Sequence, residues 1–176
     1  MRIEPWTKSL AARNAELVGA IEARRGGSLY NLDRMLLWSE PLARGWNVYL
    51  RALRQELSLS PFVRELAICV VARLTGAEYE YHHHAPELKK AGATDAQLAA
   101  LADPDAASTS DQFNELQRTT IRFAIASTRD VQVPDAIFAA LKQHLSPTEV
   151  VELVAVTAAY NMVARFLVAL QVTPET

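Results

Sequence analysis

The sequence predicts an all-α protein. Three observations lead there. Apolar residues recur at helical spacing in almost every stretch between Gly, Pro and Ser punctuation. Several of those stretches open on a recognisable helix start, such as "SPFVREL" and "SPTEVVEL". No Val-, Ile- or Thr-rich segment bounded by turns alternates with period two, so strands have no signal. Seven or eight helices joined by short loops are expected.

The elements follow in order. "TKSLAARNAELVGAIEARRGG" is helical in period, with Thr7 to cap it and Gly26 and Gly27 to stop it. "SEPLARGWNVYLRALRQEL" puts Pro41 in a first turn, where its missing N–H costs nothing. "SPFVRELAICVVARLTG" repeats the device, with Ser60 as cap, Pro61 next and Gly76 as stop. "TDAQLAALAD" holds a capping box, Thr94 with Gln97. "SDQFNELQRTTIRFAIAST" and "PDAIFAALKQHL" are further amphipathic runs. The last helix opens on Ser146, Pro147 and Glu149 and stays apolar to Leu170. The loosest stretch is "PDAASTS" at 104–110. "SPFVRELAICVVA" and "SPTEVVELVAVTAA" are weakly alike, a match that two short apolar helices also reach by chance.

Composition narrows the function. The 176 residues are 50% hydrophobic, enough for a sizeable core, and carry a formal charge of −2. No basic patch marks a nucleic-acid surface, and no apolar run reaches the ~18 residues of a membrane span. The N-terminus lacks a signal-peptide stretch and Cys69 is alone, so no internal disulfide forms. A cytoplasmic protein without membrane or nucleic-acid partners is expected.

Polar residues in apolar settings mark the candidate site. Glu65 shares its helix face with Phe62, Ile68, Cys69 and Ala72. A carboxylate there is either paired with an arginine to hold helices together or catalytic. On the last helix Thr157, Asn161 and Arg165 are spaced by four, forming one stripe toward a polar pocket or a subunit interface. Arg165 is then an anchor for a substrate carboxylate, or a salt-bridge partner of Glu65 or Glu152. In "GAEYEYHHHAP" (76–86), helical spacing pairs Glu80 with His84, Glu78 with His82 and Tyr79 with His83. Consecutive histidines point about 100° apart, so the three cannot close on one metal, and there is no HExxH signature. Glu80 with His84 suits acid/base work, although such helix pairs are often plain surface pairs. Pro86 is expected to kink or restart the helix by stranding the carbonyl of His82.

Residues 64–92, "RELAICVVARLTGAEYEYHHHAPELKKAG", resemble the core motif of the carboxymuconolactone decarboxylase / AhpD-like family. "AAYNMVARFLVAL" (158–170) is similar to that family's last helix. The resemblance implies an AhpD-like helical bundle over 45–176, preceded by a helical extension at 1–44. It implies a homo-oligomer (dimer, trimer or hexamer), and no metal or cofactor. Peroxidase-type members carry Cys-x-x-Cys-x-x-x-His after a glutamate. By spacing that glutamate is Glu65 and the histidine His84, while the cysteine positions fall on Ala77 and Glu80. With both thiols missing, disulfide-cycling peroxide reduction is disfavoured. Decarboxylase-type members resemble the chain through Glu80 and His84. The resemblance implies acid/base proton transfer on a small carboxylated or lactone-like metabolite, with or without loss of CO2. Glu65, Glu80 and His84 are then the catalytic candidates, and Arg165, Asn161, Tyr81 and His83 contact the substrate. The remaining alternatives are an AhpD-like oxidoreductase and a non-catalytic oligomeric binding protein.

Overall fold

A computed structural model gives the structure of the chain and describes residues 1–8 and 15–175. Among them lie ten helical segments and no strand. They are α1 (Ala15–Arg25), α2 (Asn31–Leu36), α3 (Glu40–Gln55), α4 (Pro61–Thr75), α5 (Glu78–Lys90), α6 (Asp95–Ala100), α7 (Pro104–Ala107), α8 (Glu115–Arg129), α9 (Asp135–Leu141) and α10 (Pro147–Leu170). The count exceeds seven or eight because two short helices lack a long periodic signal. These are α2 and the four-residue α7, which sits inside 104–110. The start expected near Thr7 runs into residues 9–14, outside the described residues.

The chain divides into two compact units, Met1–Glu56 with Ala169–Thr176, and Leu57–Val168. In the first, α1 and α2 both meet α3. α3 is amphipathic and buries Ala43, Trp46, Leu50 and Leu53. Asp33 is buried there and accepts from Arg24, Arg25 and the Tyr30 N–H, which satisfies its charge.

The second unit is built around α4, which packs against α5 on one side and α8 on the other. That explains why α4 is apolar nearly all round: every residue from Glu65 to Ala72 is buried. Its ends are set as the sequence suggests. Ser60 accepts from the Val63 N–H, and Gly76 closes the helix at φ 66°, a left-handed conformation that costs glycine little. The carboxylate of Glu152 on α10 accepts from the backbone N–H groups of Ser58 and Leu59 and from the Ser58 hydroxyl, tying down the loop that enters α4. One core cluster joins Leu66, Cys69 and Val70 to Leu88, Leu101, Phe113 and Ile121. The other joins Val63 and Ala67 to Phe123, Leu141, Leu145 and Leu153. α4 carries both clusters.

Two sequence expectations change. α5 runs unbroken through Pro86. The bond that proline removes is the one to the His82 carbonyl, and both residues are exposed, so water can take the freed acceptor. α10 is also long and apolar enough, by length and composition, to cross a bilayer, with 44% of its most apolar window buried inside the chain. The residue run missed this because Glu152, Asn161 and Arg165 interrupt it to the eye while leaving its mean hydropathy high.

Candidate functional site

The site lies in the second unit, where Glu65 of α4, His84 of α5 and Tyr160 of α10 are buried together. The isolated carboxylate of the α4 apolar stripe is Glu65, 4% exposed. Its Oε2 lies 2.6 Å from Nδ1 of His84 on α5. Its Oε1 accepts from Nε of Arg64 at 3.0 Å. Behind His84 the ring of Tyr160, on α10, stands edge-on, with centroids 4.9 Å apart and planes at 87°. Both are buried, so the imidazole is held by a carboxylate at one nitrogen and by an aromatic wall across its plane.

The electrostatics follow from this geometry. Burial opposes ionisation of Glu65, but the hydrogen bond and charge of His84, then those of Arg64, outweigh it and hold the carboxyl below its ordinary value of 4.5. An ionised Glu65 favours a proton on Nδ1 of His84, the nitrogen 2.6 Å from its carboxylate. Glu80, one turn before His84, is 2% exposed. Burial first, then the charges of Glu65 and Glu80, push the Cys69 thiol well above its usual range, and Arg73 opposes them only in part. At neutral pH Cys69 is therefore a neutral, inert thiol.

The other sequence candidates are placed differently. Glu65 is paired with an arginine, its neighbour Arg64, and also lies against His84. Nδ1 of His84 meets Glu65, which the sequence did not pair with it, while Glu80 is buried one turn earlier on the same helix. Tyr81 turns away from His84: its hydroxyl donates to the Leu98 carbonyl and the Arg73 guanidinium stacks on its ring at 3.4 Å. His83 is half-buried and tilts against the Tyr79 ring at 4.5 Å. Asn161 is buried but donates to Thr128 and to the Thr157 carbonyl. Arg165 meets neither Glu65 nor Glu152. It donates to the carbonyl and side-chain oxygens of Asn161, and the residue is exposed. The Thr157–Asn161–Arg165 stripe is thus a hydrogen-bonded ladder along α10.

Arg64 and Tyr160 are the site residues that the sequence did not single out. Arg64 precedes Glu65 directly, and neighbours on a helix do not share a face. Only its long side chain brings the guanidinium back to the carboxylate. Tyr160 comes from a helix distant in sequence and carries no local signal. Among the described residues no three His, Cys, Asp or Glu side chains gather as a metal site.

The carboxymuconolactone decarboxylase family model matches residues 40–116, which include Glu65 and His84. No curated protein matches the chain. Among solved structures, an uncharacterized peroxidase-related protein from Ralstonia eutropha JMP134, described as an alkylhydroperoxidase AhpD core, is similar with a TM-score of 0.82 at 19% identity, over 99% of this chain and 92% of that one. The debrominase Bmp8, in a variant bound to 2,3,4-tribromopyrrole, is similar with a TM-score of 0.77 at 20% identity, over 100% and 92%. A peroxidase-related protein from Silicibacter sp. TM1040 reaches 0.77 at 17% identity, over 100% and 90%. At these identities the structures speak for the fold. Residues 40–116 thus match the carboxymuconolactone decarboxylase family model, and the chain has an AhpD-like all-helical fold.

Proposed function

We propose that this protein is an enzyme that moves protons on a small carboxylated or lactone-like substrate, with His84 as the acid/base group and Glu65 as the carboxylate that holds it. The observation that carries this reading is the buried 2.6 Å contact between Glu65 and His84, with Arg64 on the second carboxylate oxygen. An imidazole fixed at one nitrogen by a carboxylate is a recurring way to prepare the other nitrogen for proton transfer.

For a decarboxylation the steps balance without a redox partner. The C–CO2 bond breaks and its electron pair moves into the conjugated lactone carbonyl. Protonated His84 then gives its Nε2 proton to the carbon, and water restores that proton. Tyr160 packs against the imidazole and limits its access to water. Thiol chemistry of the kind implied by peroxidase-related neighbours has little support. Ala77 and Glu80 occupy the two cysteine positions, and Cys69 is held as a neutral thiol.

The test is ultraviolet-monitored turnover of 4-carboxymuconolactone, related lactone acids and 2,3,4-tribromopyrrole by the wild type, E65Q, E80A and H84A. Wild-type turnover of a lactone acid with CO2 release, and a drop of about 10²–10⁴-fold in H84A, is the expected result. No turnover of any lactone acid by a folded wild type, or an H84A rate within about threefold of wild type, would overturn the assignment.

A further inference from the structure

Arg64 is held by one edge only. Its Nε donates to Oε1 of Glu65, while its terminal nitrogens, Nη1 and Nη2, have no protein partner among the described residues. The side chain is 15% exposed, and neither terminal nitrogen is a sealed-off atom lacking a bond, so both reach solvent. The guanidinium therefore links a buried carboxylate to the water outside. On its inner side only the Glu65 carboxylate separates it from His84.

Arg129 shows what such an edge does when a carboxylate is at hand. Its Nη1 and Nη2 donate one bond each to the two oxygens of Asp105, at 2.8 and 2.7 Å. A planar fork matches a carboxylate in this way through two parallel bonds. At Arg64 the Nε bond already fixes the plane of the fork, so little side-chain freedom remains to be lost on binding. The other long cations on the helices that build the site are engaged elsewhere. Arg73 stacks on the Tyr81 ring and lies about 13 Å further along α4. Lys89 and Lys90 pair with Asp95 and Glu87, and Arg165 is bonded to Asn161.

We infer that the Nη1–Nη2 edge of Arg64 binds a carboxylate of the substrate and makes the site selective for acids over their esters and amides. The inference rests on the proton-transfer reading above and narrows its substrate class to acids. The carboxylate held there is one that stays on the product. Clamping a departing carboxylate would stabilise the charged ground state against neutral CO2 and slow its loss. A substrate that is decarboxylated here therefore carries two carboxylates, one held by Arg64 and one that leaves.

The experiment is calorimetric titration of wild type, R64M, R64K and R165M with 2-furylacetate and with 2-furylacetamide. The first carries one carboxylate on a small oxygen ring and no second one to lose, and the second is its neutral counterpart. Wild type is expected to bind the acid at least about tenfold more tightly than the amide, and R64M to bring the two within about threefold. A merely structural role for Arg64 would weaken both probes alike and leave their ratio unchanged. R64K keeps the charge without the fork and is expected to lose at least about threefold of the preference. It carries the test if circular dichroism shows R64M unfolded. A preference that R64M or R64K leaves undiminished overturns the inference. So does a preference lost in R165M instead, or a wild type that binds the acid no better than the amide, including no binding up to about 10 mM. The two readings fail separately. If R64M keeps the preference while H84A loses turnover, the anchor falls and the acid/base assignment stands. If R64M erases the preference while H84A turns over as wild type does, the reverse holds.

Discussion

At the scale of single residues, Glu65 stands out as a buried carboxylate held by both an imidazole and a guanidinium. Its folded-state affinity for protons is depressed, so the sign of its pH effect is fixed. Above the unfolded value, near 4.5, both states are ionised and the full stabilisation is present. As pH falls below that value the unfolded chain takes up the proton first, and the stabilisation is lost as pH passes through the folded value. The melting temperature of wild type is therefore expected to drop more steeply below about pH 4.5 than that of E65Q, measured by circular dichroism from pH 7 to 3. Parallel curves for the two proteins would contradict the pairing. Arg64 enters the same balance from the other oxygen. R64M is expected to shift the acid limb of any activity profile toward higher pH, because it removes a cation that favours ionised Glu65. Arg165, bonded within its own helix, is expected to be replaceable by methionine with less than about threefold effect on KM for a carboxylate substrate.

At the scale of elements, α4 and α10 divide the work. α4 is fixed at both ends by local chemistry and along its length by burial. Gly76 at φ 66° has open space where a Cβ would stand, so G76A tests backbone strain alone. It is expected to cost about 1 kcal/mol in urea unfolding. The α4 entry loop depends on Glu152, whose ionised carboxylate accepts three hydrogen bonds from Ser58 and Leu59. E152A strands the Leu59 N–H and is expected to cost about 1–3 kcal/mol, with little change in the geometry around His84. A midpoint unchanged from wild type would mean that the loop is held by other contacts. α5 shows the opposite case, since Pro86 breaks a rule of helix interiors but does so at a solvated turn.

At the scale of the whole molecule, the second unit buries Cys69 at the centre of a core that joins α4, α5, α6, α7 and α8. Its thiol is both inaccessible and held neutral. Labelling by a thiol reagent is therefore expected to need opening of that core, and the rate should rise with urea in parallel with global unfolding. Labelling at native rates independent of urea would show a local opening near the site. From that core the chain's single thiol is a poor nucleophile.

Much of this was legible from the residues alone. Helix class, the Ser60, Thr94 and Ser146 caps and the Gly76 stop follow from local rules that need only a few neighbours: hydrogen bonds to the first free N–H groups and the φ that glycine tolerates. The burial of Glu65 followed from its apolar surroundings, and the family resemblance followed from spacing. Which group answers Glu65 did not. A helix places its own residues three and four apart together, so the sequence offered Glu80 as the partner of His84. The folded chain brings Glu65 to Nδ1 from nineteen residues away. Tyr160 arrives from a helix whose distance and rotation are set by packing against the core, and Arg165 is bonded along its own helix to Asn161. Local periodicity determines which faces are buried, while the pairing of buried polar groups is decided only when those faces pack, because each group then has a few possible partners and the interior leaves no water to replace them.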